Sequence, residues 1–478
     1  MQRSTFRPAG HEISFGKKGL NWRSRLCLCV FFPLAFDFKG EEEGGSIVQY
    51  VLLGLTFSFA LFTLFRRPFR GKLHDNLFLA FSVLVTCSGF AMAFTNDVSW
   101  SISLRVGLQY VLFVLGAALA ASVLPDINSL PRFARSLAFI TLLSVVFRFV
   151  YAFAFKGVHL DDARYQILSA ALPVLLAYLT SYGLLLRKIT MFSLVGTVAA
   201  VAPVVLSVTR SFIITGFCCL IVIVWGLWWA VRSGYLAKKS LISYQIAGLV
   251  AAGFLAGGVL LAVILRPGLL ETWEARIFES NTTSSATDVT FMTRKAEAVG
   301  IWNQVVVSPL SLMFGSGFGT SYSWDTSYAP DLLSSGAVGV GDFVGRTFAP
   351  HSVFTGGLLY GGVFGLIWTF SIFICPIHRL LKRTKRNSVE KSFSEFAWLL
   401  FLMGCVLYFA SQSITSNPMG ERLSALLLGF AVNMALLKPK LGGERPVISA
   451  IQSRKMSMST NVATPRLHRQ QDERSREK

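Results

Sequence analysis

His351 stands at the head of F-A-P-H-S-V-F-T-G-G-L-L-Y-G-G-V-F-G-L, which runs from Phe348 to Leu366. Here the longest hydrophilic segment of the chain re-enters an apolar run, so the sequence places His351 at a membrane surface, on the first turn of a helix. Gly356, Gly357, Gly361, Gly362 and Gly365 leave one side of that helix without bulk. A neighbouring helix or a lipid chain can approach closely along such a side. An imidazole at a water–lipid boundary suits proton transfer on an amphiphilic substrate. The alternative is an interfacial histidine that only caps its helix.

Cationic groups accompany it. Arg164, Arg210 and Arg294 stand out, with Arg276, Arg346 and Arg422 behind them and Arg105 and Arg148 deeper in apolar spans. Arg164 and Arg422 lie near helix ends, where an arginine can simply snorkel to water. Arg294 on an amphipathic helix can be a solvated-face charge, and Arg105 and Arg148 can pair internally or line a cavity. Arg210 sits in a turn with almost no loop between two apolar runs, where a charge is costly unless it meets an anion.

Other chemistries lack their residues. The chain has no H-E-x-x-H, no paired C-x-x-C, no D-x-D suited to a metal-held nucleotide sugar and no G-x-x-x-x-G-K-[ST] phosphate loop. No metal or other cofactor is expected. The seven cysteines, Cys27 and Cys29 among them, lie in or beside apolar segments and read as small buried hydrophobes, not as a disulfide framework.

The elements that must position these groups are membrane helices. Of 478 residues, 53% are hydrophobic, in runs of the length needed to cross about 30 Å of hydrocarbon. Twelve spans are expected: Leu26–Phe38, read as an uncleaved first helix, then Ser46–Phe65, Asp75–Phe94, Ser101–Leu124, Phe133–Phe155, Leu168–Leu186, Ile189–Val208, Ser211–Val231, Leu241–Leu265, Ser352–Cys375, Phe396–Ser413 and Leu423–Leu437. With an even count both termini share one side, and 33 of the 45 lysines and arginines fall on that side. The positive-inside rule makes it the cytoplasm. The net charge of +20 is therefore a topology signal and a contact for anionic membrane lipid, not a nucleic-acid footprint.

Five regions follow: a basic cytoplasmic arm (1–25), nine transmembrane helices (26–265), an exported loop (266–350), three more helices (351–437) and a basic, disordered cytoplasmic tail (438–478). In the loop, Leu270, Trp273 and Ile277 recur at helical spacing, as do Val289, Met292, Val299, Trp302 and Val306. Thr287 or Asp288 can cap the second of these helices, and both should lie along the membrane surface. A turn rich in Gly315, Gly317 and Gly319 follows them. The fold class expected is an all-α integral membrane protein with one large periplasmic loop of amphipathic helices.

These residues carry a family resemblance. His351 and Ser352, nine further residues, then Gly362 and Gly365 resemble the His-[Asn/Ser/Gln]-x9-Gly-x-x-Gly signature of the O-antigen ligase and polysaccharide polymerase superfamily. L-S-V-T-R-S-F around Arg210 resembles the family's Ser/Thr-Arg turn. Arg294 and Trp302, followed by Pro309 and F-G-S-G-F-G, resemble its periplasmic loop. The likeness covers most of the chain from Arg164 onward. It implies an enzyme of bacterial cell-surface polysaccharide biosynthesis in the inner membrane. That enzyme would transfer glycan, without metal, from an undecaprenyl-pyrophosphate-linked donor on the periplasmic face. His351 would be the catalytic base, and Arg210, Arg164, Arg294 and Ser352 would bind substrate. Arginine forks suit a pyrophosphate and can stabilise it as it leaves. One in-line displacement would invert the anomeric centre. The acceptor would be the next glycan in a polymerase, or lipid A–core in a ligase. A chain-length regulator and a flippase are further partners. A polysaccharide transporter or flippase is the more distant alternative; against it, the halves show no internal repeat.

Overall fold

The computed structural model describes residues 20–38, 46–66, 76–123, 129–157, 167–183, 190–207, 211–232, 289–334, 350–386 and 393–437, with isolated positions between 260 and 271. Among these the fold is helical, with no strand. Its helices are α1 (Trp22–Phe31), α2 (Ile47–Phe65), α3 (Leu77–Thr95), α4 (Trp100–Ser122), α5 (Leu130–Val150), α6 (Leu172–Tyr178), α7 (Met191–Ser207) and α8 (Ser211–Arg232). They continue as α9 (Val289–Val305), α10 (Pro309–Phe314), α11 (Ala329–Ser334), α12 (Val353–Arg386), α13 (Phe393–Thr415) and α14 (Arg422–Leu436).

Seven described helices are long and apolar enough to cross a membrane: Ile47–Phe65, Leu77–Thr95, Trp100–Ser122, Leu130–Phe155, Ile214–Arg232, Val353–Thr384 and Ser394–Ile414. The chain thus has the helices of a multi-pass membrane protein. Four of the other five expected spans are shorter helices. Leu26–Phe38 is replaced by α1 and a 3-10 turn at Pro33–Phe36, because the proline ring lacks the N–H that would continue the α pattern. The apolar helices Leu172–Gly183, Met191–Leu206 and Arg422–Leu436 are each 10–17 residues long over the described residues. The expected Leu241–Leu265 span lies almost entirely outside the described residues.

Local sequence explains where the helices start. Asn21 Oδ1 accepts from Ser24 N at 2.8 Å to open α1. Ser46 and Gln49 form a reciprocal capping box on α2. Small residues then set the packing. A methyl group on Gly116 would fall 2.0 Å from the Leu426 carbonyl oxygen, and one on Gly429 would fall 2.0 Å from that of Phe113. Glycine at both points lets the α4 and α14 backbones touch. Asn433 Nδ2 locks the pair by donating to the Ala117 carbonyl at 2.6 Å. Around this pair, α13 is buried over most of its length, whereas α2 keeps only Thr56, Ala60 and Thr63 buried.

The expected single span Ser352–Cys375 is instead a folded-back helix. α12 breaks at Gly362, whose φ of 59° and ψ of −148° are far from helical. The arm before the break lies against the arm after it. The Phe354 ring is 5.0 Å from that of Phe370 and 6.2 Å from that of Phe373, although a straight helix would hold them about 24–29 Å apart. A methyl group on Gly365 would sit 2.2 Å from the Gly357 carbonyl oxygen, and one on Gly357 would sit 2.3 Å from Thr369 Oγ1. The glycines thus serve chiefly to let the two arms meet.

The break frees the Leu359 carbonyl, which a continuous helix would bond to Val363 N. The segment 315–319 takes it, with Ser316 N donating to Leu359 O at 2.7 Å. Non-helical backbone of this kind is tolerated within a membrane protein where protein surrounds it. The same segment reaches α3 and α4. Phe318 N donates to Gly89 O at 3.0 Å, and Asn96 Nδ2 donates to Ser316 O at 2.8 Å. Gly317, at φ 89°, leaves no room for a side chain, since a methyl there would lie 2.2 Å from Ala93 N. Phe318 is 1% exposed. Its ring fills the slot left by Gly89 and Gly107, against Phe90, Tyr110 and Tyr360. The glycine turn expected from the sequence is therefore a plug built into the bundle.

Candidate functional site

His351 precedes the first arm of α12, and Ser352 caps that arm. The Ser352 hydroxyl accepts from Phe354 N at 3.2 Å and donates to the Ser413 carbonyl at 3.0 Å. The geometry gives Ser352, expected as a substrate ligand, the work of holding the turn against α13. Because the arm folds back, Phe354, three residues after His351, packs against Phe370 and Phe373 of the second arm.

The partner of His351 is Glu297, a residue that no sequence motif marks. Glu297 is 0% exposed. Its Oε1 accepts from His351 N at 3.0 Å and from Thr355 Oγ1 at 2.8 Å, and its Oε2 lies 2.5 Å from His351 Nδ1. A carboxylate ringed by donors is an acceptor, so Nδ1 carries the proton. In a neutral imidazole with that tautomer, Nε2 is the nitrogen left to take a proton from another group. The imidazole is 43% exposed, so the pair has a buried anchor and an open end.

Arg294 lies one turn before Glu297 on α9, with Nη1 3.8 Å from Oε2. Of the five residues singled out from sequence, the structure therefore brings His351, Ser352 and Arg294 together. Arg210 and Arg164 lie outside the described residues, as do Arg276 and Arg346. Arg148 and Arg422 are held in ion pairs. Arg148 Nη1 is 2.7 Å from Glu421 Oε1, and Arg422 Nη1 is 3.1 Å from Asp37 Oδ1. Arg148 also donates to Leu168 O, and Glu421 Oε2 accepts from Ala170 N. This set ties α5, α14, the end of the α1 segment and residues 167–170 together. Arg105 is exposed on α4.

Sequence reasoning misses Glu297 because the apolar spacing points the wrong face of α9 inward. That spacing puts Val289, Met292, Val299, Trp302 and Val306 on the packed side. In the structure Ala296, Glu297, Ile301 and Val305 are buried, while Trp302 is 49% exposed. α9 packs by its small residues. Ala296 O accepts from Asp325 N at 3.1 Å, and a methyl on Gly300 would fall 2.1 Å from Ser323 O. The signal available in sequence was a carboxylate one position from Ala296 and three from Gly300, on the small-residue side.

A search against protein-family models finds no match, and a search of curated proteins finds no similar sequence. The functional reading therefore rests on the site and on the signature that His351 opens.

Proposed function

We propose that this protein is a membrane glycosyltransferase of bacterial cell-surface polysaccharide synthesis. Its most direct role is to polymerise exopolysaccharide or O-antigen repeat units from an undecaprenyl-pyrophosphate-linked donor. In this reading the chain crosses the inner membrane twelve times, keeps both termini in the cytoplasm and exports residues 266–350. The observation that carries the proposal is the bond between His351 Nδ1 and the buried Glu297 carboxylate. It supports a base whose free nitrogen is held in one orientation, within the motif that resembles the family signature.

The mechanism is a single displacement. The acceptor hydroxyl attacks the anomeric carbon, and the bond from that carbon to the pyrophosphate oxygen breaks. The electron pair leaves with the undecaprenyl pyrophosphate. The hydroxyl proton passes to His351 Nε2. Glu297 orients the imidazole and stabilises the imidazolium that forms, the role a buried carboxylate plays beside other catalytic histidines. Arg210 and Arg164 hold the pyrophosphate through bidentate forks. Arg294 steadies the Glu297 end.

The test uses membranes supplied with labelled lipid-linked repeat unit. His351→Ala should lower transfer by about 10²–10⁴-fold, the usual range for positioned proton transfer, while donor binding survives. Arg210→Ala should lose donor binding, and Arg210→Lys should recover only part of it. His351→Gln keeps hydrogen bonding but takes up no proton. If that variant works as well as wild type, His351 is not the base, and the outer-loop carboxylates Asp325, Asp331 and Asp342 become the candidates. A null strain separates polymerase from ligase. Loss of a polymerase leaves single repeat units, whereas loss of a ligase leaves long chains on the carrier lipid.

A further inference from the structure

A recess lies on the same helix as Glu297. It holds about 550 Å³ and is lined by Gly300, Asn303 and Gln304 of α9 and by residues 321–326 of the segment that follows α10, Tyr322, Ser323, Trp324 and Asp325 among them. Amide, carboxylate, hydroxyl and backbone groups share its walls with the aromatic residues Tyr322 and Trp324, so it is more polar than the mostly apolar pockets that hold drug-like ligands or lipid tails.

The donors and acceptors are arranged in advance. Asn303 Nδ2 donates to Asp325 Oδ2 at 3.1 Å, and Gln304 Nε2 donates to Ser321 O at 3.1 Å. These bonds turn both side-chain amide nitrogens toward the protein and leave both amide oxygens as acceptors. Asp325 Oδ1 accepts from Ser327 N at 2.9 Å and from Ser327 Oγ at 2.5 Å. These Ser327 bonds, aided by Asn303, hold the carboxyl below the usual carboxylate range, so it is ionised at neutral pH. A wall rich in acceptors with a fixed negative charge favours hydroxyl donors and repels phosphate.

The recess also adjoins the His351–Glu297 pair. Asp325 N is bonded to Ala296 O, next to Glu297. The Trp324 ring centroid is 6.3 Å from that of His351. Asn303 and Gln304 follow Glu297 on α9 by about 10 Å of helix rise, a distance that a short glycan spans.

The geometry points to this recess as a subsite for a neutral, hydroxyl-rich glycan whose end reaches His351. Taking that glycan as the acceptor rests on the transferase reading above; the binding of sugar hydroxyls does not. The pyrophosphate end of the donor lies elsewhere, because Asp325 opposes it.

The experiment uses the purified full chain in detergent and a panel of neutral and acidic oligosaccharides, read by saturation-transfer NMR, with inorganic pyrophosphate as a competitor. Wild type should bind at least one neutral oligosaccharide, and pyrophosphate should not displace it. Asn303→Ala should weaken that binding about tenfold, the effect of losing roughly 1.4 kcal/mol of hydrogen bonding. Ser323→Tyr, at an exposed position on the wall, should block the recess sterically without removing a side-chain bond. His351→Ala, which leaves every wall residue in place, should retain most of the binding. In transfer assays both wall variants should raise KM for acceptor with little change in kcat. Unchanged affinity in both wall variants, displacement by pyrophosphate, or no oligosaccharide bound by wild type would overturn the proposal. If the wall variants lose binding but His351→Ala transfers glycan at the wild-type rate, the subsite stands and the transferase chemistry falls. If His351→Ala is inactive while the wall variants keep affinity and KM, the chemistry stands and the subsite falls.

Discussion

The buried carboxylate of Glu297 holds His351 at two points, accepting from its main-chain N–H at 3.0 Å and lying 2.5 Å from its ring Nδ1. One side chain thus sets both the start of the first α12 arm and the orientation of the imidazole. Glu297→Ala should therefore act in two ways. It leaves the His351 N–H and the Thr355 hydroxyl without their acceptor, which should cost about 1–3 kcal/mol of stability and lower the thermal midpoint in detergent. It should also lower transfer even at temperatures where the variant is folded. Glu297→Gln keeps an acceptor oxygen and should recover most of the stability but less of the activity. A Glu297→Ala variant that is stable and fully active would reduce the contact to a bystander.

Gly362 and Gly361 are neighbours in sequence but should respond differently to alanine. A methyl on Gly362 would lie 2.5 Å from Leu312 O, on a backbone at φ 59° that non-glycine residues rarely adopt. Gly362→Ala should cost at least about 1–3 kcal/mol for the backbone conformation alone. At Gly361 the nearest atom is Val85 Cγ1 at 3.4 Å, so Gly361→Ala should be well tolerated. The fold-back itself can be checked with Phe354→Cys and Phe370→Cys, in a background with the exposed Cys87 and Cys375 replaced by serine. A short bismaleimide should bridge the pair. No cross-link would mean that α12 is straight.

Arg148 and Glu421 form an ion pair that is mostly shielded from solvent. Removing one member of such a pair typically costs about 3–5 kcal/mol, because it strands the other charge. Arg148→Met should therefore lower the thermal midpoint sharply. Adding Glu421→Gln, which retains an acceptor for Ala170 N, should bring stability back toward wild type. A double variant as unstable as the sum of its single changes would show that the two residues are not coupled.

The proposed topology follows from the distribution of basic residues. A reporter fused after Ser284 should be active outside the cytoplasm, and one fused after Asn387 inside it. Finding residues 266–350 in the cytoplasm would sink the mechanism, since the donor glycan would then be on the opposite face from His351.

The amino-acid sequence alone determined the class of the protein. Long apolar runs leave few solutions in lipid, where backbone groups must be satisfied inside the protein and helices do this most simply. Thus α2, α3, α4, α5, α8 and α13 lie close to the expected positions. His351, Arg294 and the glycine-rich stretch were also legible, because a titratable group or a run of small residues is conspicuous against apolar sequence. Tertiary structure decided the rest. Glycine permits both helical and left-handed backbone, so Gly362 is marked as a break only by segment 315–319, which bonds the freed Leu359 carbonyl. The periodicity of α9 is weak, so its buried face was settled by which residues allow close backbone approach, and those were Ala296 and Gly300 rather than Val299 and Trp302. Glu297 came into the site with that rotation. It meets His351 across 54 positions of chain, a contact that no local pattern encodes because it arises only when α9 and the first arm of α12 pack together.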